Sequence, residues 1–191
     1  MRAIHLVTVG SGDLAAGARD AGSASELLGD LAWSLSRAFG VPCGIAPESL
    51  DAAFAYDPVR GQYHSTPILH RLSTSPEPPG DRILGVTSLD LFVPVLTFVF
   101  GEAQLEGRCA LVSSHRLEEE FYGLPTRPEL LRERLFKESV HELGHTFGLR
   151  HCLEWDCVMA STHAVERLDL KRAEFCLSCR RLANLPVTHS F

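Results

Sequence analysis

Residues 141–152 read HELGHTFGLRHC, which places three of the chain's nine histidines within one helix and the turn after it. Histidines four apart on a helix project from one face, so His141 and His145 can hold a single metal ion between them. Glu142 follows His141 directly and is set beside that ion, within reach of a water the ion holds. Gly148 stands three residues after His145, where its backbone freedom lets the chain leave the helix and turn sharply. Such a turn brings His151 in as a third nitrogen ligand. Three neutral imidazoles leave zinc its full charge and an open fourth position, as in catalytic rather than structural sites. Zinc held in this way lowers the pKa of its water and polarises a carbonyl oxygen. Glu142 is then placed to take the water's proton and pass it to a leaving amine. The HExxH pattern alone recurs by chance on surface helices; the extension through Gly148 to His151 makes it specific.

The chain has six cysteines, and Cys152, Cys157, Cys176 and Cys179 crowd its last quarter. In a chain read as cytoplasmic, cysteines are more often free, metal-bound or catalytic than disulfide-bonded. Two close pairs, the second a CxxC, suit a tetrahedral zinc site with four thiolate ligands. A closed thiolate shell leaves no place for water, so this zinc is expected to be structural. Lys171, Arg172, Arg180 and Arg181 lie close in sequence to offset the net negative charge of such a site. A CxxC redox pair is the competing reading, although such pairs usually open a helix near a βαβ start. A zinc-ribbon nucleic-acid module fits poorly with a small basic cluster in an acidic chain. Because Cys152 adjoins His151, the structural zinc is expected to hold the third catalytic ligand in place. Cys43 and Cys109 sit alone in apolar, strand-like surroundings and read as buried inert thiols.

HExxHxxGxxH is the signature of the metzincins, zinc peptidases with a methionine turn beneath the metal. The order that follows, Cys152, Cys157, Met159 in CVM and then CLSC at 176–179, resembles the archaemetzincin family. The likeness extends upstream through LDLFVPVLTFVFGEA and the long helix, covering most of residues 80–182 and, more weakly, the rest. The resemblance implies a metzincin-like peptidase domain with two zinc ions per chain. It also implies that Met159 forms a hydrophobic floor under the catalytic zinc and that the four cysteines hold the second ion. One position departs from other metzincins, some of which place a tyrosine two residues after the methionine to assist the oxyanion. Here that residue is Ser161, which leaves the zinc alone or another donor, with Tyr63 and Tyr122 as candidates.

Several elements must position these groups. Residues 3–9 read as a buried strand, followed by a helix over 24–39 with a capping box of Ser23 and Glu26, ending near Gly40. That helix carries Leu27, Leu28, Leu31, Trp33 and Leu35. A short strand is expected at 41–46, a helix after Thr66-Pro67, a loop at 73–81 and a third strand at 82–88. TFVFGEA at 97–103 and RCALVS at 108–113 flank QLEG and read as a hairpin. Thr126, Pro128 and Glu129 open a long helix running to about Phe147, with Leu131, Leu135, Val140, Leu143 and Phe147 as its apolar stripe. The order predicts an α/β (α+β) domain. Its sheet is twisted, mixed and mostly parallel with an antiparallel edge strand, packed against the 24–39 helix and the active-site helix. A small C-terminal segment is stapled by zinc. Residues 1–148 would form an upper part and 149–191 a lower part of one domain. The strand at 97–103 is expected at the sheet edge above the cleft, where an extended substrate can pair with it. Gly101 and Ala103 either leave room for that substrate or merely fit hairpin packing.

Composition sets the remaining bounds. The chain is 45% hydrophobic and 22% charged, as in ordinary water-soluble domains, and 191 residues suffice for one sizeable core. A net charge of −6 gives no global pull toward nucleic acid or acidic membrane. MRAIHLVTVG breaks at glycine without a longer apolar run and reads as a strand, not a signal peptide. The most apolar stretch, 89–101, is too short to span a bilayer and carries Pro94. The expectation is a monomeric cytoplasmic zinc metallopeptidase acting on peptides or proteins. The alternatives are a zinc-stabilised peptide-binding protein without catalysis and a zinc hydrolase of non-peptide amides. Glu142 speaks against the first, because a binding role needs no base there.

Overall fold

The structure is a computed structural model that describes residues 1–10 and 21–185. Its main sheet contains β1 (Ile4–Thr8), β2 (Cys43–Ile45), β5 (Arg82–Thr87), β7 (Gly101–Ala103) and β8 (Cys109–Ser113). The strand order is β2-β1-β5-β8-β7, with every pairing parallel except β7 against β8. The expected mostly parallel sheet with an antiparallel edge is therefore present. Alternation along the strands divides the core. Ile4, Leu6, Leu84, Val86, Ala110 and Val112 face one cluster, while Val7, Ile83, Cys109 and Leu111 face the other. Strands covered on both faces are near-continuously apolar for this reason.

On the first face lie α1 (Ala21–Phe39) and α3 (Pro128–Thr146); on the second lies α2 (Ser65–Ser73). The helix α1 is described from Ala21, two residues ahead of Ser23, so Ser23 is not its N-cap; the Ser23 side chain lies outside the described residues. Three short strands, β3 (Tyr56–Asp57), β4 (Gln62–His64) and β6 (Leu91–Phe92), make a second small sheet. Beside it, Arg60 Nη2 donates to the Leu96 and Thr97 carbonyls at 2.8 and 3.0 Å, and Gln62 Nε2 also reaches the Thr97 carbonyl. This network fixes the segment leading into β7.

The edge strand is shorter than the sequence suggests. Only Gly101–Ala103 joins the main sheet, because the Val99 amide donates instead to the Leu91 carbonyl, drawing the preceding residues toward the small sheet. The long helix also starts differently. Arg127, not Thr126, occupies the cap position and no side chain caps the first turn. Pro128 opens the helix, where its missing N–H is not needed.

Leu135, Val140 and Leu143 of α3 are fully buried, each contributing about 1.5–3 kcal/mol of apolar burial. The same helix buries Arg134, Lys137, Glu138, His141 and Glu142. Arg134 is held by Glu119 and Asp169, both at 2.7 Å, and by the Leu117 carbonyl at 2.8 Å. Paired in this way, the buried guanidinium of Arg134 ties the helix to its neighbours instead of opposing its burial. Among the described residues, two short helices, α4 (Val165–Leu170) and α5 (Leu177–Leu182), follow the histidine segment. Among the described residues, no helix is long and apolar enough to cross a membrane.

Candidate metal centre

His141 and His145 lie one turn apart near the end of α3, with their Nε2 atoms 3.1 Å from each other. Each ring is fixed from behind. His141 Nδ1–H donates to the Val158 carbonyl at 2.8 Å, and His145 Nδ1–H donates to the Leu149 carbonyl at 2.7 Å. Both Nε2 lone pairs are thereby left free, the arrangement usual for metal-ligating histidines. The helix ends as the Gly148 amide donates to the His145 carbonyl at 2.9 Å, with Gly148 at φ +84°. A side chain is disfavoured in that conformation, which explains glycine at this offset. The turn returns His151, whose ring centroid lies 5.4 Å from that of His141 and 5.2 Å from that of His145. One ligand atom from each of the three rings falls within 4.8 Å of the others. Burial, reinforced by neighbouring positive groups, holds the His141 pKa well below the usual histidine value, and burial lowers His145 and His151 as well. Neutral imidazoles with free Nε2 atoms are what a zinc ion requires.

Met159 is fully buried and follows Val158, whose carbonyl accepts from His141. A Cβ on Gly144, one residue before His145, would collide with the Met159 sulfur, so the missing side chain lets the helix pack against Met159. Cys152 N–H donates to the Met159 carbonyl at 2.9 Å, and Cys152 forms an isolated parallel bridge with Ala160. The segment carrying His151 and Cys152 is thus hydrogen-bonded to the methionine turn.

Cys152, Cys157, Cys176 and Cys179 bring their sulfurs within 4.8 Å of one another. Cys152 and Cys176 are 3.8 Å apart and Cys157 and Cys179 3.9 Å apart. A tetrahedron of thiolates with zinc–sulfur bonds of about 2.3 Å has edges of about 3.8 Å. The Cys176 and Glu154 amides donate to the Cys157 and Cys152 sulfurs, as befits groups meant to carry negative charge. Burial raises the pKa of Cys157 and Cys179, so without a cation these thiols stay protonated. Of the basic residues near this cluster in sequence, Arg172 pairs with Asp156 at 2.9 Å. Lys171 turns away toward the methionine turn, though both residues still act electrostatically on Cys157. Cys109 is fully buried and Cys43 partly so, and burial pushes their pKa values up to about 11 and about 12.

The histidines open onto a cavity of about 640 Å³, bordered above by residues 96–103 and below by Arg150, His151 and the 161–163 segment. Glu142 lies in its wall, buried, and its pKa is raised well above the carboxylate range by burial, then by the nearby Glu138 and Glu102. Gly101 has a different purpose from leaving room for a substrate. A Cβ there would come within 2.6 Å of Glu142 Cγ and 2.6 Å of the Leu111 carbonyl, so the missing side chain makes room for Glu142. Neither tyrosine candidate lines the cavity. Tyr63 packs against Tyr56, and the Tyr122 hydroxyl donates to the Arg116 carbonyl at 3.0 Å. Ser161 does border it, with His163 Nε2 3.5 Å from its hydroxyl. No spacing relative to the histidines marks Glu102, Glu138 or His163 in the sequence, and Lys171 reads there only as a countercharge for the thiolates.

The family model of peptidase family M54 matches residues 41–184. Archaemetzincin of Methanocaldococcus jannaschii is 42% identical over 154 residues, covering 81% of this chain and 83% of its own. A crystal structure of archaemetzincin from Archaeoglobus fulgidus, complexed with malonate, superposes with a TM-score of 0.75 at 34% identity, over 94% of this chain and 99% of that one. A zinc-dependent peptidase from Methanocorpusculum labreanum superposes with a TM-score of 0.79 at 31% identity, over 95% and 100% of the two chains. The sheet order, the helix bearing the histidines and these matches agree, and the chain belongs to peptidase family M54, the archaemetzincin family of zinc metallopeptidases.

Proposed function

We propose that the chain hydrolyses peptide bonds with Glu142 as general base, at a zinc ion held by His141, His145 and His151. A second, structural zinc would be held by Cys152, Cys157, Cys176 and Cys179. The observation that carries this reading is a buried carboxylate, Glu142, placed beside three neutral imidazoles that share an accessible cavity. A zinc ion held by those imidazoles would supply Lewis-acid chemistry, acidifying water and polarising a carbonyl. The side chains do the rest. The three rings would hold the ion, and the Nδ1–H bonds of His141 and His145 to backbone carbonyls keep those two ring planes fixed. Glu142 accepts a proton from the attacking water and returns it to the leaving amine. Burial and the neighbouring carboxylates raise its proton affinity, which suits a group that both takes and gives a proton. Gly101 lets Glu142 sit against the edge strand, and that strand offers main-chain groups to an extended peptide. Met159 forms the apolar floor, and Gly148 supplies the turn.

The same reading takes the chain as one domain, with 1–148 above the cleft and 149–191 below it, working as a monomer in the cytoplasm without nucleic-acid or membrane partners. Glu142→Ala tests the function. Hydrolysis of a mixed peptide library should fall by about 10²–10⁴-fold or more, the usual weight of a general base. Zinc content should remain at two ions per chain, since Glu142 is not a ligand. Unchanged turnover in the variant would remove the peptidase mechanism.

A further inference from the structure

Lys171 is buried, its side chain only 1% exposed. A buried ammonium is costly unless every donor finds a partner. Lys171 Nζ donates to the Val158 carbonyl at 3.0 Å and the Ala160 carbonyl at 2.9 Å, and stands 3.7 Å from Glu138 Oε1. Those two carbonyls flank Met159. The Val158 carbonyl is also the acceptor for His141 Nδ1–H at 2.8 Å. Both acceptor sites of one oxygen are therefore used, one by the ammonium and one by the ring. Glu138 lies one helical turn before Glu142 on α3, so the ion pair also ties the methionine turn to the helix bearing His141. Packing alone asks for no charge here, since a methionine of similar length fills the same space without the desolvation cost.

We infer that Lys171 is a positioning residue for the three-histidine site: by gripping the Val158 and Ala160 carbonyls, its ammonium fixes the acceptor that orients His141. The inference rests on the reading of that cluster as a zinc site, and its consequence is a change in metal affinity that needs no substrate to be seen. Loosening the turn frees the Val158 carbonyl to rotate, and His141 loses the hydrogen bond that sets its ring plane and keeps Nε2 unprotonated. Groups that orient metal ligands in this way typically account for about ten- to a hundredfold of metal affinity.

The test uses the full chain loaded with zinc and three variants: Lys171→Met, the charge-balanced pair Lys171→Met with Glu138→Gln, and Glu138→Gln alone. The balanced pair guards against misfolding, because replacing both members of a buried ion pair is far milder than stripping one. Zinc affinity at each site is measured by chelator competition, and thermal melting reports the fold. Both variants lacking Lys171 should bind zinc at the histidines about ten- to a hundredfold more weakly. The four-cysteine affinity should change much less, and Glu138→Gln alone should stay near the native value. Native zinc affinity at the histidines in the folded balanced pair would overturn the inference, as would equal weakening at both sites. A peptidase failure would show separately, as loss of the Glu142 dependence with both affinities intact.

Discussion

The histidine cluster and the cysteine cluster meet at consecutive residues, His151 and Cys152, yet they are built on opposite principles. The histidines border a cavity of about 640 Å³, and the Nδ1 atoms of His141 and His145 are held from behind by backbone carbonyls, so one side of the site faces open space. The cysteines close on one another with all four sulfurs within 4.8 Å and two pairs 3.8 and 3.9 Å apart, and three of the four are buried. Local structure follows the same division. Two histidines ride on a long helix anchored in the main core, whereas the cysteines lie on loops and the six-residue helix α5. A ligand set on a rigid helix can leave a coordination position empty without collapsing. Loop ligands hold their arrangement only if the metal completes it. On the proposed reading, the difference gives exchangeable chemistry to one cluster and folding to the other.

The largest effect should come from Cys179→Ser. Structural zinc sites carry apparent binding energies of about 10–16 kcal/mol, most of it folding energy. Removing one thiolate should release the second zinc, lower the melting temperature sharply and impair hydrolysis about a hundredfold through His151. A variant that loses one zinc but keeps full activity would separate the two clusters.

Next in size is Gly101→Ala. The added Cβ would press on Glu142 Cγ and on the Leu111 carbonyl, both at 2.6 Å. Displacing a catalytic group by about 1 Å can reduce the rate by about a hundredfold. Activity should fall by that order in steady-state assays while zinc remains at both sites. Wild-type rates would mean that the close approach to Glu142 is irrelevant.

A smaller effect separates the clusters by pH. Burial lowers the pKa of all three histidines, so the rings are already neutral below the ordinary value of 6.5 and lose zinc only as pH falls through their lowered values. Cys157 and Cys179 have raised pKa values, so zinc binding there displaces protons. Between pH ~6.5 and ~8, affinity at the histidines should change less than about threefold, while affinity at the cysteines should rise more than about tenfold. Calorimetry in buffers of different ionisation enthalpy would count the protons released at each site. Equal proton release would erase the distinction.

The smallest effect is a silence. Cys109, fully buried with a pKa pushed up to about 11, should resist alkylation in the native protein near neutral pH. After zinc is stripped, Cys152 should be labelled first, since it is the most exposed of the four cluster cysteines. Mass spectrometry of labelled peptides would show the order.

The parts legible in the sequence were those written in local spacing. His141, His145, Gly148 and His151 belong to one helix and its turn, and the two cysteine pairs repeat a metal-ligand rhythm. The main strands showed as apolar runs because both their faces are covered. Contacts that join distant segments left no such mark. Lys171 reaches Glu138 and the Val158 carbonyl only after α4 folds against α3, so in sequence it reads as a countercharge for the thiolates. Glu142 meets Gly101 through sheet closure, and the glycine reads as spare room for a substrate. Strands of two or three residues such as β3 and β6 carry no periodicity, which is why the small sheet and the shortening of β7 were invisible. Tyr63 and Tyr122 had the right chemistry for oxyanion support, but their elements lie away from the cavity.

Graded chelation of the native protein tests the division of labour between the clusters most directly. Zinc content, circular dichroism and peptide hydrolysis are followed along one chelator titration. An ion at the histidines faces the cavity and can be attacked there, whereas an ion among the cysteines is shielded until the segment opens. The account predicts two steps: first the loss of one zinc and all activity with the fold intact, then the loss of the second zinc together with structure. Collapse of the fold with the first zinc, or departure of both ions in one step, would contradict it.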